Sequence, residues 1–451
     1  MGGELFRPIF VPDEFSEAVS GRSWLQAMLD AEAALAAAEA RAGLIPHEVA
    51  AAIASCCHAV RFDPEELGRE GRAAGNPVPP LVKALTGAVS DVSEEVARHV
   101  HKGATSQDIV DTAAMLVARR ALDLILAELE NISHACAHLA EEHRETNMAG
   151  RTLLQQALPT TFGLKASGWL ISVLEGRRSL WVVRDRGLAA QLGGAAGTLA
   201  SLGECGVSVL GEFARELELA EPTMPWHTDR TRIAEIGGAL SLVAGVLGKI
   251  AFDVILMAQT EVREVAEPAG EGRGGSSTLP HKRNPILSVT ASANVRRVQA
   301  LSQTLHGPMV GEHERAAGAW HAEWEALSDA LALTGGAAAA VREVTKGLEV
   351  YPERMRQNLD KTGGMLMAEN VTTVVADRLG RMEAHEVVGA AARRAADGGK
   401  PFRVELLAEP ALHERLSAGE IDAALDPAGY LGSAGTFIDR ALALYREEIP
   451  T

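Results

Sequence analysis

Four short segments hold the side chains that polar chemistry needs. The first, Gly272-Arg-Gly-Gly-Ser-Ser-Thr-Leu-Pro-His-Lys-Arg-Asn-Pro285, sets two hydroxyls among cationic groups, between glycines and prolines. Such a loop can close around an anion, with Lys282 and backbone amides as donors and Ser276 or Ser277 near a reacting carbon. The same composition also suits a flexible connector between helices. Its Gly270-x-Gly272-x-x-Gly275 spacing matches a dinucleotide loop, but it follows a helical segment with no strand before it, so the match is accidental. The second segment, His101-Lys-Gly-Ala-Thr-Ser-Gln-Asp108, reads as a helix start, with Thr105 and Asp108 spaced as in a capping box. A free helix N-terminus with the Thr105 and Ser106 hydroxyls is also a carboxylate site, and His101 is either a donor at that start or a group that orients the carboxylate. The third, Gly150-Arg-Thr-Leu-Leu-Gln-Gln-Ala-Leu-Pro159, reads by itself as a helix broken by proline. The fourth pairs Glu312-His-Glu-Arg315 with Trp320-His-Ala-Glu-Trp324. Arg315 either grips a substrate carboxylate through two parallel bonds or pairs with Glu312 or Glu314. Trp320 and Trp324 share a helix face, the usual pattern of core packing. The HExxH, P-loop and GxSxG patterns do not occur, so metalloprotease, NTPase and α/β-hydrolase readings have no support.

The elements that must position these segments read as helices. Proline is missing from 81–158, 160–221, 226–267 and 309–351, gaps that permit long helices. In the stretch after residue 111, Met115, Leu116, Ala118, Leu122, Leu126, Leu129 and Ile132 recur at three- and four-residue steps, and Asp111 and Thr112 read as its cap. Residues 232–265 are apolar almost all round, as in the middle of a bundle, and Glu235, Lys249 and Asp253 argue against a membrane span. No alternating β-branched run marks a sheet core. Three regions are expected: 1–110, a long-helix core over 111–350, and a small helical region over 351–451. With 43 Lys and Arg against 60 Asp and Glu, the formal charge of −17 opposes phosphate backbones, so no nucleic-acid partner is expected. Cys56, Cys57, Cys136 and Cys205 show no CxxC spacing, which suits a reducing compartment, a cytoplasmic location and no cysteine zinc site.

Taken together and in this order, the segments resemble the fumarase/aspartase superfamily of lyases, whose signature loop has the form GSSxMPxKxNP. Here it reads GSSTLPHKRNP, with Leu279 in the methionine position, a swap that conserves volume. The resemblance implies an all-α, three-domain subunit with a central bundle of long helices. It also implies a homotetramer whose active sites are shared between chains, with no metal and no organic cofactor. Within the superfamily, Gly75-Asn-Pro-Val-Pro-Pro-Leu-Val-Lys83, Pro225-Trp-His-Thr228 and the Trp320–Trp324 segment are most similar to the cycloisomerase branch. That branch implies cyclisation of the tricarboxylate 3-carboxy-cis,cis-muconate to 4-carboxymuconolactone, in protocatechuate breakdown. By motif position Ser276 is then the proton-transfer residue, with Ser277 the alternative. Lys282 stabilises the enediolate-like charge and His101 assists. Thr105, Ser106, Gln155, Asn284 and Arg315 bind the carboxylates.

Adenylosuccinate lyase is the competing member, and two features weigh against it. Where that enzyme binds a nucleotide phosphate, this chain has Ile286-Leu-Ser-Val-Thr290 and the Trp320–Trp324 segment, which offer a dianion few donors. Superfamily lyases that expel an amine or nucleobase carry histidine where this chain has Leu153. A leaving carboxylate is stable as the anion at neutral pH and needs no proton from that position.

Overall fold

The computed structural model describes residues 3–270, 274–275, 279, 282–398, 400–413 and 415–449. Its long helices are α1 (Gly21–Arg41), α2 (Ser106–Glu142), α3 (Phe162–Val182), α4 (Thr231–Met257), α5 (Ile286–His306) and α6 (Ala319–Lys346). Shorter helices make up most of the remainder, among them eight residues from Pro352, where proline at the first helical turn costs no hydrogen bond. Two two-stranded ladders complete the described structure: β1 (Asn147–Thr152) with β2 (Gln155–Thr161), and β3 (Val265–Ala266) with β4 (Glu349–Val350). The fold is all-α, as alanine-rich, aromatic-poor composition favours. The chain forms two compact units, Met1–Glu130 with Glu175–Lys249 and Thr290–Val341, and Asn131–Leu174 with Ile250–Val289 and Arg342–Thr451.

Helix α2 begins at the Thr105–Asp108 start and not at Asp111 and Thr112. Asp111 and Thr112 are buried inside it, and the cap is made by Asp108, whose Oδ2 accepts from the Thr105 N–H at 2.9 Å. Asp111 carries a different load. It takes two bonds from Arg230, at 2.8 and 3.0 Å, and one from the Trp320 indole at 2.9 Å. Arg230 also donates to Glu323 through Nε at 2.9 Å, and all three charged groups are buried. Breaking such a network strands a buried charge and costs about 3–5 kcal/mol, so it fixes the start of α4 against α2 and α6. Of the residues spaced along α2, Leu126 is half-buried while its neighbour Ile125 is fully buried, a shift of one position on an otherwise apolar face.

Helix α4 is long and apolar enough to cross a membrane by composition, with 44% of its most apolar window buried. Its Asp253 accepts from the Trp169 indole at 2.8 Å. Leu242 and Phe252 of the same helix remain exposed.

Helix α1 starts at Ser20, whose hydroxyl accepts from the Ser23 N–H at 3.1 Å. Its buried face holds Leu25, Leu29 and Leu35, but also two carboxyls, Glu32 and Glu39. Both Glu39 oxygens are buried without a hydrogen-bond partner. Burial pushes this carboxyl up to about 7; Lys102 opposes the rise and Glu32 adds to it. Between the ordinary carboxyl range and pH 7 the folded protein therefore keeps a proton that the unfolded chain has released, and stability falls as pH rises through that window. Glu39→Met is expected to raise stability at pH 8 by up to about 3 kcal/mol relative to its effect at pH 4.5. Thermal melts of both proteins across that range check it. An equal effect at both ends would contradict the assignment.

Candidate functional site

In the first unit, the segment preceding α2 gathers four of the expected residues. His101 has a φ of 58° and Gly103 a φ of 79°. The left-handed region costs a residue with a β-carbon about 1–2 kcal/mol. At Gly103 a β-carbon would lie 2.4 Å from Leu202 Cδ2, so any other residue there would have to displace that side chain. The bent segment sets His101 Nδ1 2.6 Å from Glu32 Oε1, with the Glu32 side chain only 1% exposed. Burial alone would lower the imidazole's pKa, but the hydrogen bond and charge of Glu32, with the charge of Asp108, outweigh it and the net shift is upward. Four residues on, the Thr105 hydroxyl accepts from Arg315 Nη1 at 2.6 Å. Arg315 is half-buried and has no ion pair with Glu312 or Glu314 among the described residues; Glu312 instead accepts from the Ala317 N–H at 3.0 Å. Ser106 opens the helix beside Thr105 and is half-buried.

Asp108 anchors this segment from behind. Its carboxylate accepts from His227 Nε2 at 2.7 Å and from the Gly193 and Gly194 N–H groups at 2.9 Å each. Every partner lies in the interior, so the Pro225-Trp-His-Thr228 segment supports the helix start. Trp320 and Trp324 pack edge to face with centroids 4.8 Å apart, consistent with their shared helix face.

In the second unit, the Gly150–Pro159 segment is a hairpin rather than a proline-broken helix. β1 and β2 pair antiparallel, with Ala149 opposite Pro159 and Thr152 opposite Gln155. The two residues between them, Leu153 and Leu154, have φ of 51° and 66°, and Leu153 is 97% exposed. Positive φ at both central positions is the pattern of a type I′ hairpin turn, for which leucine is a costly choice. Gln155 is exposed beside that turn. Arg151 is committed elsewhere, gripping buried Glu264 with two bonds of 2.9 and 2.7 Å.

The arms of the signature loop are tied together. Gly274 O accepts from the Asn284 N–H at 2.9 Å, and Gly275 bridges Arg283 in antiparallel fashion. Arg283 is bound to Glu349 at 2.8 and 3.2 Å, whereas the Lys282 side chain is exposed and carries no ion pair among the described residues. Lys282 and Asn284 line a cavity of about 690 Å³ with Gln259, Arg263 and Tyr351. Ser276 and Ser277 lie outside the described residues.

Glu32 was not marked by any spacing in the sequence: a glutamate on an alanine-rich helix ordinarily faces water, and burial alone distinguishes it. His227 and Asp108 stood within conspicuous segments, but a hydrogen bond across 119 positions leaves no local pattern.

Comparison with known proteins gives concordant results. Residues 11–299 match the model of the family described as Lyase, and residues 364–441 match the adenylosuccinate lyase C-terminus. A 3-carboxy-cis,cis-muconate cycloisomerase of Bradyrhizobium diazoefficiens is 47% identical over 97% of each chain. A nitrosuccinate lyase of Streptomyces davaonensis is 45% identical, covering 97% of this chain and 94% of its own. The crystal structure of the 3-carboxy-cis,cis-muconate lactonizing enzyme from Pseudomonas putida superposes with a TM-score of 0.94 at 43% identity, covering 99% of both chains. With its signature loop and all-α architecture, this chain belongs to the lyase family of the fumarase/aspartase superfamily.

Proposed function

We propose that the protein is a cofactor-independent cycloisomerase that interconverts 3-carboxy-cis,cis-muconate and 4-carboxymuconolactone. The near-full-length similarity to relatives of that name carries the reading. In the lactonising direction one carboxylate oxygen forms a C–O bond across the conjugated alkene, and the carbon next to another carboxylate gains a proton. Ser276 is the proposed donor of that proton, with Ser277 the alternative, and solvent restores the hydroxyl. Lys282 and Asn284 stabilise the enediolate-like charge on the substrate, while Thr105, Ser106, Gln155 and Arg315 hold carboxylates. His101 assists at a carboxylate. The ring-closing oxygen is ionised at neutral pH and needs no base, which suits Leu153 at a position where amine-expelling lyases carry histidine.

The proposed assembly is a cytoplasmic homotetramer with shared sites. Exposed Leu242 and Phe252 on α4, and Leu153 and Leu154 at the hairpin, support an assembly that covers them. Free cysteines at 56, 57, 136 and 205 suit a reducing compartment. The three-region division at 110 and 350, read from the pattern along the chain and implied by the resemblance, is likewise retained as a proposal.

A lyase acting on a 2-substituted succinate is the second reading, favoured by the 45% identity to nitrosuccinate lyase. Nitrite, like a carboxylate, is stable as the anion and departs without a proton, so Leu153 suits both readings while opposing amine release. The test is product identity. Loss of the muconate diene absorbance, with the lactone seen by NMR, supports the cycloisomerase, and an inert muconate contradicts it.

A further inference from the structure

Resting on the role proposed above for His101, we infer that Glu32 is its positioning residue, taking the Nδ1–H and leaving Nε2–H as the ring's donor to a substrate carboxylate. The Nδ1 to Oε1 distance is 2.6 Å, and the glutamate side chain is 1% exposed against 18% for the histidine. The carboxylate is thus shut from water while the ring retains access to it. A buried carboxylate bonded to one ring nitrogen fixes the tautomer and orientation of the other. His101 Nε2 has no hydrogen-bond partner among the described residues. The backbone holds this arrangement against a cost, because His101 sits in the left-handed region at φ 58°.

The charges around the ring favour a cation. Glu32 faces it from α1 and Asp108 from the first turn of α2. Lys102, next in sequence, acts on Glu39, which stands two turns from Glu32 on the same helix. Glu39 is buried with both oxygens unpartnered, a setting that keeps it neutral below about 7 and leaves Glu32 as the carboxylate paired with the ring. A fixed imidazolium of this kind binds an anion without giving up its proton during the reaction. That separates its work from that of the loop serine, which transfers one.

Glu32→Gln tests the pairing in two ways on the full-length protein. Modification of His101 by diethyl pyrocarbonate, followed by peptide mass spectrometry from pH 5.5 to 9, reads the protonation of the ring without any substrate. The midpoint should fall toward that of a free imidazole in Glu32→Gln, and an unchanged midpoint would overturn the inference. Kinetics on 3-carboxy-cis,cis-muconate should show KM raised about tenfold or more at pH 8, with kcat changed much less. The deficit should shrink at pH 6, where the imidazole protonates unaided. A deficit equal at both pH values would mark a merely structural role. If Glu32→Gln does not fold, Glu32→Asp keeps the charge but withdraws it by one methylene, and the midpoint should fall part of the way. Absent turnover of the muconate with a lowered midpoint would reject the proposed function while leaving the Glu32 pairing intact.

Discussion

Ser276→Ala is expected to lower kcat by about three orders of magnitude with little change in melting temperature. Proton transfer by a positioned side chain contributes roughly 10²–10⁴-fold, and alanine deletes the hydroxyl without altering the loop's glycines and prolines. Around this position the arms of the loop are fixed by the Gly274–Asn284 hydrogen bond, and Arg283 is held by Glu349. Among the described residues Lys282 has no ion pair to satisfy, which suits it to charge developing on substrate. Serine is a very weak base, so a nearby cation that favours its ionised form belongs to the mechanism. Steady-state kinetics of Ser276→Ala and Ser277→Ala, with melts of both, decide the assignment. A large loss in Ser277→Ala alone would move the proton-transfer role by one position.

Arg315→Ala is expected to raise KM by about two orders of magnitude, with a smaller effect on kcat. Truncating one partner of a desolvated charge pair costs roughly 2–5 kcal/mol. Arg315 is held by the neutral Thr105 hydroxyl and has no carboxylate partner in Glu312 or Glu314, so its charge remains available to a ligand. Arg315→Lys should recover only part of the loss, because an ammonium cannot make the two parallel bonds of a guanidinium. Substrate-concentration series on the three proteins measure this. Unchanged KM in a folded Arg315→Ala would remove Arg315 from the site.

The long helices were legible because proline gaps and three- to four-residue apolar steps report backbone and packing preferences directly. Errors arose where residue type pointed one way and tertiary context another. Asp111 and Thr112 are cap-forming types, yet Asp111 is buried against Arg230 and Trp320, and the helix begins at Ser106. The hairpin was hidden because its turn uses two leucines at positive φ, where glycine or asparagine would have signalled it. At the site, His101, Thr105 and Arg315 could be named from their segments. The contacts that set their charge and orientation, Glu32 above all, join residues far apart in sequence.

For a carboxymuconate substrate the attacking and leaving group is an ionised carboxylate, which makes a general acid at position 153 unnecessary. The most direct test gives wild-type protein 3-carboxy-cis,cis-muconate, nitrosuccinate and adenylosuccinate side by side and compares kcat/KM. Efficient lactone formation from the muconate is expected, with turnover of adenylosuccinate lower by orders of magnitude. Robust cleavage of adenylosuccinate with Leu153 in place, or nitrosuccinate turnover with an inert muconate, would contradict it.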